Sequence, residues 1–337
     1  ALAAVVAGSP GVAHAAPGES PMCRPDAPRA SVERLLRRAS LDLLGRVPTV
    51  DEYAALEGRD ALPEALVDRM LGAPAFAERV VRAHGPLLWP NIENVRLMDF
   101  RTRLQRAGDV YWRRGTAQTY RGDRVPCRDA PATFGPDGQI EVETDADGVR
   151  REGWVEVQPY WAPERTIKVC AFDAQTRDVS PRGRDCRARE GLFDPGCGCG
   201  PALRRCRVGS TRPLARAFRR DVEIRIAAMI QEGRPYTELF TSRRAFVNGP
   251  IVHYLKYQAG LSAGVGMRPL AYDLDRLPDL AWTDDGFVPV ELPAEHAGVL
   301  TSFPFLLRFQ TDRARANRFY EAFLCQPFSP PPGGLPE

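Results

Sequence analysis

The stretch Arg34-Leu35-Leu36-Arg37-Arg38-Ala39-Ser40-Leu41-Asp42-Leu43-Leu44-Gly45-Arg46-Val47-Pro48-Thr49 sets the character of the chain. Leu35, Leu36, Ala39, Leu43 and Leu44 recur at the spacing of one helix face, and Arg34, Arg37 and Arg38 fall on the solvated side. Ser31 offers a side-chain oxygen to the first orphan amides, Gly45 ends the helix, and Pro48 blocks its continuation. Thr49-Val50-Asp51-Glu52 is a capping box, in which hydroxyl and carboxylate each satisfy one amide of the next helix. Pro63 then opens a helix with Leu62, Leu66, Met70 and Leu71 on one side, closing at Gly72. Pro74 restarts another through Phe76, Val80 and Val81 that ends at His84, so residues 31–84 read as a compact helical array.

Farther along, prolines, glycines and aspartates interrupt the pattern from Arg121. Ile140, Val142 and Thr144 alternate with acidic residues, Asp147-Gly148 supplies a turn that takes positive φ, and Val155 and Val157 alternate on the return, which predicts a hairpin. Ile167, Val169 and Ala171 make a third strand. Helical spacing resumes at Thr211-Arg212-Pro213 with Leu214, Phe218, Val222, Ile226, Met229 and Ile230, and Gly233 stops it. Phe246-Val247-Asn248 leads into a helix from Gly249-Pro250 through Ile251, Tyr254 and Leu255. Asp312 caps a last helix with Ala316, Phe319, Tyr320, Phe323 and Leu324 inside and Arg313, Arg315 and Arg318 outside. The fold class is therefore mainly α with a small β-hairpin and a cysteine-rich insertion, an α+β arrangement. Its organisation is a signal-peptide remnant at 1–15, a helical domain at 16–120, a β-containing disulfide-rich insertion at 121–210, a helical domain at 211–325 and a Pro/Gly-rich tail at 326–337.

The 337 residues, 44% hydrophobic and 26% charged, support a sizeable core and exclude disorder for most of the length. A net charge of +3 is too small to mark a nucleic-acid binder; Lys168 and Lys256 are the only lysines, so the basic set is otherwise arginine. No stretch approaches the roughly 18 apolar residues of a membrane span. Ala1–Ala15 is small and apolar and ends in Ala13-His14-Ala15, like the tail of a secretory signal. The expected location is accordingly periplasmic, outer-surface or secreted.

In such a compartment the eight cysteines, Cys23, Cys127, Cys170, Cys186, Cys197, Cys199, Cys206 and Cys325, are expected in disulfides, with the pairing open. The spacing around Cys197-Gly198-Cys199 does not form the two knuckles of a structural zinc site, and no metal is expected. Gly260-Leu261-Ser262-Ala263-Gly264 matches G-x-S-x-G, but it follows a helix where a nucleophile elbow follows a strand, so it reads as a flexible loop. Asp145-Ala146-Asp147-Gly148 resembles half of a calcium loop, yet Trp154 stands where the bidentate glutamate belongs, which favours a plain turn. Among four histidines, His84 sits where a positive ring meets a helix C-terminus.

The segment 34–49, with Leu66-Val67-Asp68-Arg69-Met70-Leu71 and Phe76-Ala77-Glu78-Arg79, resembles the "LDLxGxPPT" opening of the planctomycete-type cytochrome-associated domains of unknown function, departing at Val47. Ala297-Gly298-Val299-Leu300-Thr301, Arg313–Arg318, Phe323-Leu324-Cys325 and Pro330-Pro331-Pro332 are similar to the segment that precedes a c-type cytochrome module in that group. The resemblance implies an exported, mostly helical protein partnering a c-type cytochrome or another envelope protein. Because Cys-x-x-Cys-His is missing from the chain, haem is expected only through a partner or a further C-terminal module. Were haem held non-covalently, His84 and His253 are the axial candidates. The expected function is a binding or scaffold component of a cell-envelope electron-transfer assembly. The alternatives are an extracellular hydrolase or oxidase acting on polymers, with Trp154, Tyr160 and Trp161 as a stacking platform, and an envelope filament or surface subunit.

Overall fold

The computed structural model describes residues 30–116, 125–261 and 272–326. The chain divides into two compact units, 1–72 and 73–337. In the first, α1 (Val32–Ala39) starts at Ser31, whose Oγ accepts from the Arg34 amide at 3.4 Å. It runs into a π-helical turn, Ser40–Leu44, that Gly45 closes at φ 72°. That wider turn carries Ser40 fully inward, its hydroxyl donating to the Arg46 carbonyl at 2.8 Å; Leu35, expected on the apolar face, is exposed in α1 instead. The capping box is formed: Glu52 N donates to Thr49 Oγ1 and Thr49 N to Glu52 Oε2, opening α2 (Val50–Ala54). With α3 (Glu64–Leu71), these elements bury Val32, Leu36, Leu56, Leu66 and Met70 in one cluster.

The second unit opens with α4 (Pro74–Leu88), which continues a turn beyond His84 with Pro86 inside it. A four-stranded sheet follows in the order β1-β2-β6-β5, from β1 (Leu104–Ala107), β2 (Val110–Arg113), β5 (Trp154–Val157) and β6 (Ile167–Cys170). A single helical turn, α5 (Arg114–Thr116), leaves β2. The β1–β2 hairpin is a correction, since it lies in a span expected to be helical; Gly108, at φ 55°, makes its turn. Strands β2 and β6 pair in parallel and β5 and β6 antiparallel, with Val155 opposite Val169.

The expected hairpin turn at Asp147-Gly148 is present, between β3 (Glu143–Thr144) and β4 (Arg150–Arg151). Its return does not run on through Val155 and Val157. Gly153 lies against the Ala130 and Pro131 backbone, where a Cβ would come within 2.5 Å, and there the chain leaves the hairpin to pair with β6 instead.

Disulfides join Cys127 to Cys170, Cys186 to Cys197 and Cys199 to Cys206. Val169 and Cys170 alternate across the pleat, so one sheet face packs Val110 and Trp112 on Cys127–Cys170 and the other packs Leu104 on Cys199–Cys206. Between them Arg113 and Asp173 form a buried ion pair at 3.1 Å, and Arg113 Nη2 donates to the Cys197 carbonyl at 2.6 Å. Cys325 is exposed and outside the three bridges; Cys23, residues 1–15, Ser262 and the tail from 327 lie outside the described residues.

The remaining elements are α6 (Arg212–Gln231), α7 (Glu238–Thr241), β7 (Arg244–Val247), α8 (Gly249–His253), β8 (Val288–Glu291), α9 (Phe303–Arg308) and α10 (Asp312–Phe323). As the periodicity predicts, α6 buries Leu214, Phe218, Val222, Ile226 and Met229; Phe218 stacks on Phe303 with ring centres 4.3 Å apart. Strand β7 pairs with β8 and is pinned to α6 where Phe246 N donates to Asp221 Oδ1 at 2.7 Å. Helix α10 is capped by Thr311 and not Asp312; its Arg315 and Arg318 fold back onto protein carbonyls, and Tyr320 and Leu324 stay exposed. The fold is thus a mixed α+β arrangement with three disulfides.

Candidate docking cleft between two helices

Helix α4 packs along α6, and both bury apolar side chains in a cluster built on Leu88, Val222, Ile226, Met229, Val299 and Phe305. Residues of both helices line a cavity of about 480 Å³, with Val81, Leu88, Val222 and Ile226 as walls and Arg82, Arg219 and Arg308 among its polar lining. A volume of a few hundred Å³ with apolar walls and few polar groups is the usual form of a ligand or side-chain pocket.

Trp89 is one of its lining residues. It caps α4 in the left-handed region at φ 47°, its amide donating to the Gly85 carbonyl at 2.9 Å, and its side chain is 49% exposed. The conformation is strained for a bulky residue and is fixed from outside the helix. Arg318 of α10 donates to the Leu87 carbonyl at 2.7 Å and to the Pro86 carbonyl, satisfying acceptors that the last turn of α4 leaves open. Its guanidinium carbon then lies 5.3 Å from the Trp89 ring centre, with that of Arg308 at 5.4 Å, so two cations face one indole. Arg308 donates weakly to Asn94 Oδ1 at 3.4 Å, and its buried Nε has no hydrogen-bond partner among the described residues.

His84 lines the same cavity with both ring nitrogens engaged: Nδ1 lies 2.7 Å from the Val80 carbonyl and Nε2 2.7 Å from the Tyr236 hydroxyl. Because a carbonyl only accepts, Nδ1 carries the proton. The ring is thus tied within its helix and to Tyr236, not to the helix end expected from sequence. His253 has separate surroundings. Its Nε2 donates to the Arg204 carbonyl at 3.0 Å, and its ring stacks 3.8 Å from Tyr160 beside Trp282 and Tyr257. Burial holds it neutral by lowering its pKa to about 4. The two expected axial ligands share none of these partners, and iron at either Nε2 would displace a hydrogen bond already made.

The other sequence candidates are absorbed into structure. Cys186, Cys197, Cys199 and Cys206 are oxidised in pairs, and Cys127 and Cys170, close to buried Glu152, are bonded to each other. Asp145 accepts from the amides of Asp147 and Val149 and pairs with Arg151 at 2.8 Å, which makes it the organiser of a turn. Tyr160 lies edge-on to Trp161 and Trp282, and Lys168 covers the Trp154 ring, so these aromatics pack on protein and form no open platform. Burial pushes the Tyr160 hydroxyl up to about 12.

Residues 23–94, from ahead of α1 through Trp89 and Asn91, match PSCyt2, Protein of unknown function (DUF1549). No curated protein and no solved structure matches the chain. The matched stretch contributes the α4 wall of the cleft; the α6 wall and the arginines of α9 and α10 lie beyond it. Sequence reading missed Trp89, Arg308 and Arg318 because nothing local marks them as neighbours. The available signal was a lone tryptophan between an apolar helix end and Pro90.

Proposed function

We propose that this chain is an exported binding or scaffold component of a cell-envelope cytochrome or electron-transfer assembly, docking its partner with no covalent haem of its own. The observation that carries the reading is Trp89, half-exposed, lining a largely apolar cavity and framed by two guanidinium groups. Tryptophan and arginine dominate binding energy at protein interfaces, and a ring already fixed by its surroundings loses little freedom on association. Export is supported by the three disulfides, since cytosolic thiols are ordinarily kept reduced. The choice of a cytochrome as partner rests on the resemblance of segments 34–79 and 297–332 to the planctomycete-type cytochrome-associated domains.

Size-exclusion chromatography of the purified chain mixed with the c-type cytochrome of the same envelope tests this. The Soret absorbance is expected to move to an earlier elution volume with the wild-type chain. It should return to the free position with Trp89→Ala, whose circular dichroism stays that of the wild type. A cytochrome that elutes unshifted beside the wild-type chain overturns the reading.

A further inference from the structure

Two further cavities adjoin the one beside Trp89. One, of about 500 Å³, is lined by Glu78, Arg82, Arg220 and Glu223; the other, of about 550 Å³, by Arg216, Arg219, Arg220 and Glu223. All three are lined by Glu223, whose carboxylate is held by Arg219 at 2.7 Å and Arg220 at 3.2 Å. The three are lined in turn by α6 residues between Pro213 and Gln231, about 27 Å at 1.5 Å per residue, and the groove is the three together.

Its lining is net basic. Five arginines, Arg82, Arg216, Arg219, Arg220 and Arg308, line it against three carboxylates, Glu78, Glu223 and Asp285. Arg219 and Arg220 are occupied with Glu223. Arg82, Arg216 and Arg308 have no carboxylate partner among the described residues, and the Nε of Arg308 is buried and unbonded. A buried donor without an acceptor is unfavourable until an incoming group supplies one.

We propose that this groove receives an acidic, amphipathic segment of the partner protein, with its carboxylates on Arg82, Arg216 and Arg308 and a bulky apolar side chain in the cavity beside Trp89. The inference deepens the docking reading given above and rests on it. An extended occupant is favoured over a small carboxylate because Arg82, Arg216 and Arg308 are spread over separate cavities along α6. A compact ligand would fill the cavity between Leu88 and Ile226 and leave Arg216 untouched, since Arg216 lines a different one.

Gly85 provides the test. It lies in α4 on the cavity wall, and a Cβ built there meets nothing within 4 Å, so Gly85→Phe fills the cavity from open space while removing a helix-weakening glycine. Arg82→Glu with Arg216→Glu reverses two exposed charges that hold no ion pair among the described residues. The probes are a synthetic peptide of about 18 residues with glutamates on one face and leucine and phenylalanine on the other, the same peptide with glutamine for glutamate, and dodecanoate. Titration calorimetry on the full chain is expected to show the acidic peptide binding about tenfold or more tighter than the glutamine peptide, an affinity that falls as salt rises from about 0.1 to about 1 M. Gly85→Phe and the double charge reversal should each weaken it by about tenfold or more. The proposal is overturned if neither peptide binds, if both bind equally, if either variant binds like the wild type, or if dodecanoate alone binds. The same variants in the cytochrome mixture separate the two ideas: co-elution that survives both substitutions removes the groove and leaves docking, and no co-elution with the wild type removes docking itself.

Discussion

The helical unit over residues 30–72 is closed by groups a few positions apart, whereas the segment from β1 to Cys206 also depends on closures tens of positions apart. In the first, Ser31 caps the amide of Arg34, Thr49 and Glu52 cap each other's amides, and Arg46 grips Glu52 through two bonds of 2.8 and 2.7 Å. In the second, Arg113 reaches across 60 residues to Asp173, and Cys127 across 43 to Cys170. Local closure needs little chain ordering beforehand. Distant closure must first bring two ends of a loop together, and the entropy of that step is what a covalent bridge reduces in the unfolded chain.

The distant side should therefore respond most to single changes. Arg113→Ala takes the guanidinium away from the fully buried Asp173 carboxylate, which keeps the amide of residue 113, and removes a donor from the Cys197 carbonyl, at an expected loss of about 3–5 kcal/mol. Replacing both partners by apolar residues of similar volume should recover part of that loss, because no charge is then left uncompensated while the residue 113 amide and the Cys197 carbonyl each lose a partner. Urea denaturation of the single and double variants measures the difference; equal stabilities would mean that the pair does not organise the region. Serine in place of both Cys127 and Cys170 follows at about 4 kcal/mol, with about 3 kcal/mol for Cys186–Cys197 and about 2 kcal/mol for Cys199–Cys206, because the loops shorten. The ranking carries the claim more than any one value, and a reversed order in the same denaturation series would show that native-state packing, not loop length, decides.

On the local side the largest effect belongs to Leu36, fully buried among Val32, Leu56, Leu66 and Met70. Leu36→Ala should cost about 3 kcal/mol through lost burial and the cavity left behind. Hydrogen exchange in the amides of α1 and α3 reads it directly, and unchanged protection there would mean that the unit is not held by this cluster.

The same contrast governs what was legible in the sequence. Ser31, Gly45, the Thr49–Glu52 box, the Asp147-Gly148 turn and the buried face of α6 were readable because each works within about one or two turns of chain. The β1–β2 hairpin carried a readable mark too, Gly108-Asp109 between Ala107 and Val110, which the apparent dominance of helices on either side obscured. The parallel pairing of β2 with β6, the identity of the disulfide partners and the gathering of Arg82, Arg216, Arg308 and Arg318 around α4 and α6 have no local signature. Except for the short Cys186–Cys197 and Cys199–Cys206 loops, they follow from packing between elements far apart in sequence. The family match over residues 23–94 likewise covers one wall of the cleft and gives no account of the other.

The smallest expected effect isolates the local side. Arg46 beside Glu52, together with the Thr49 amide, lowers the Glu52 pKa from 4.5 to about 2. A carboxylate whose folded pKa is depressed adds stability that is present above its unfolded value and is lost as the pH falls through the folded one. The contribution should therefore be complete at pH 7, decline from about pH 5 and vanish near pH 2. The Arg46 side chain is 45% exposed, so solvent screening limits the pair to about 1 kcal/mol. Glu52→Gln removes the charge and keeps an acceptor for the Thr49 amide. Wild type and variant should therefore differ in exchange protection of the α2 amides at pH 7 and converge by pH 2. A difference that persists unchanged at low pH would assign the effect to the geometry of the cap and not to its charge.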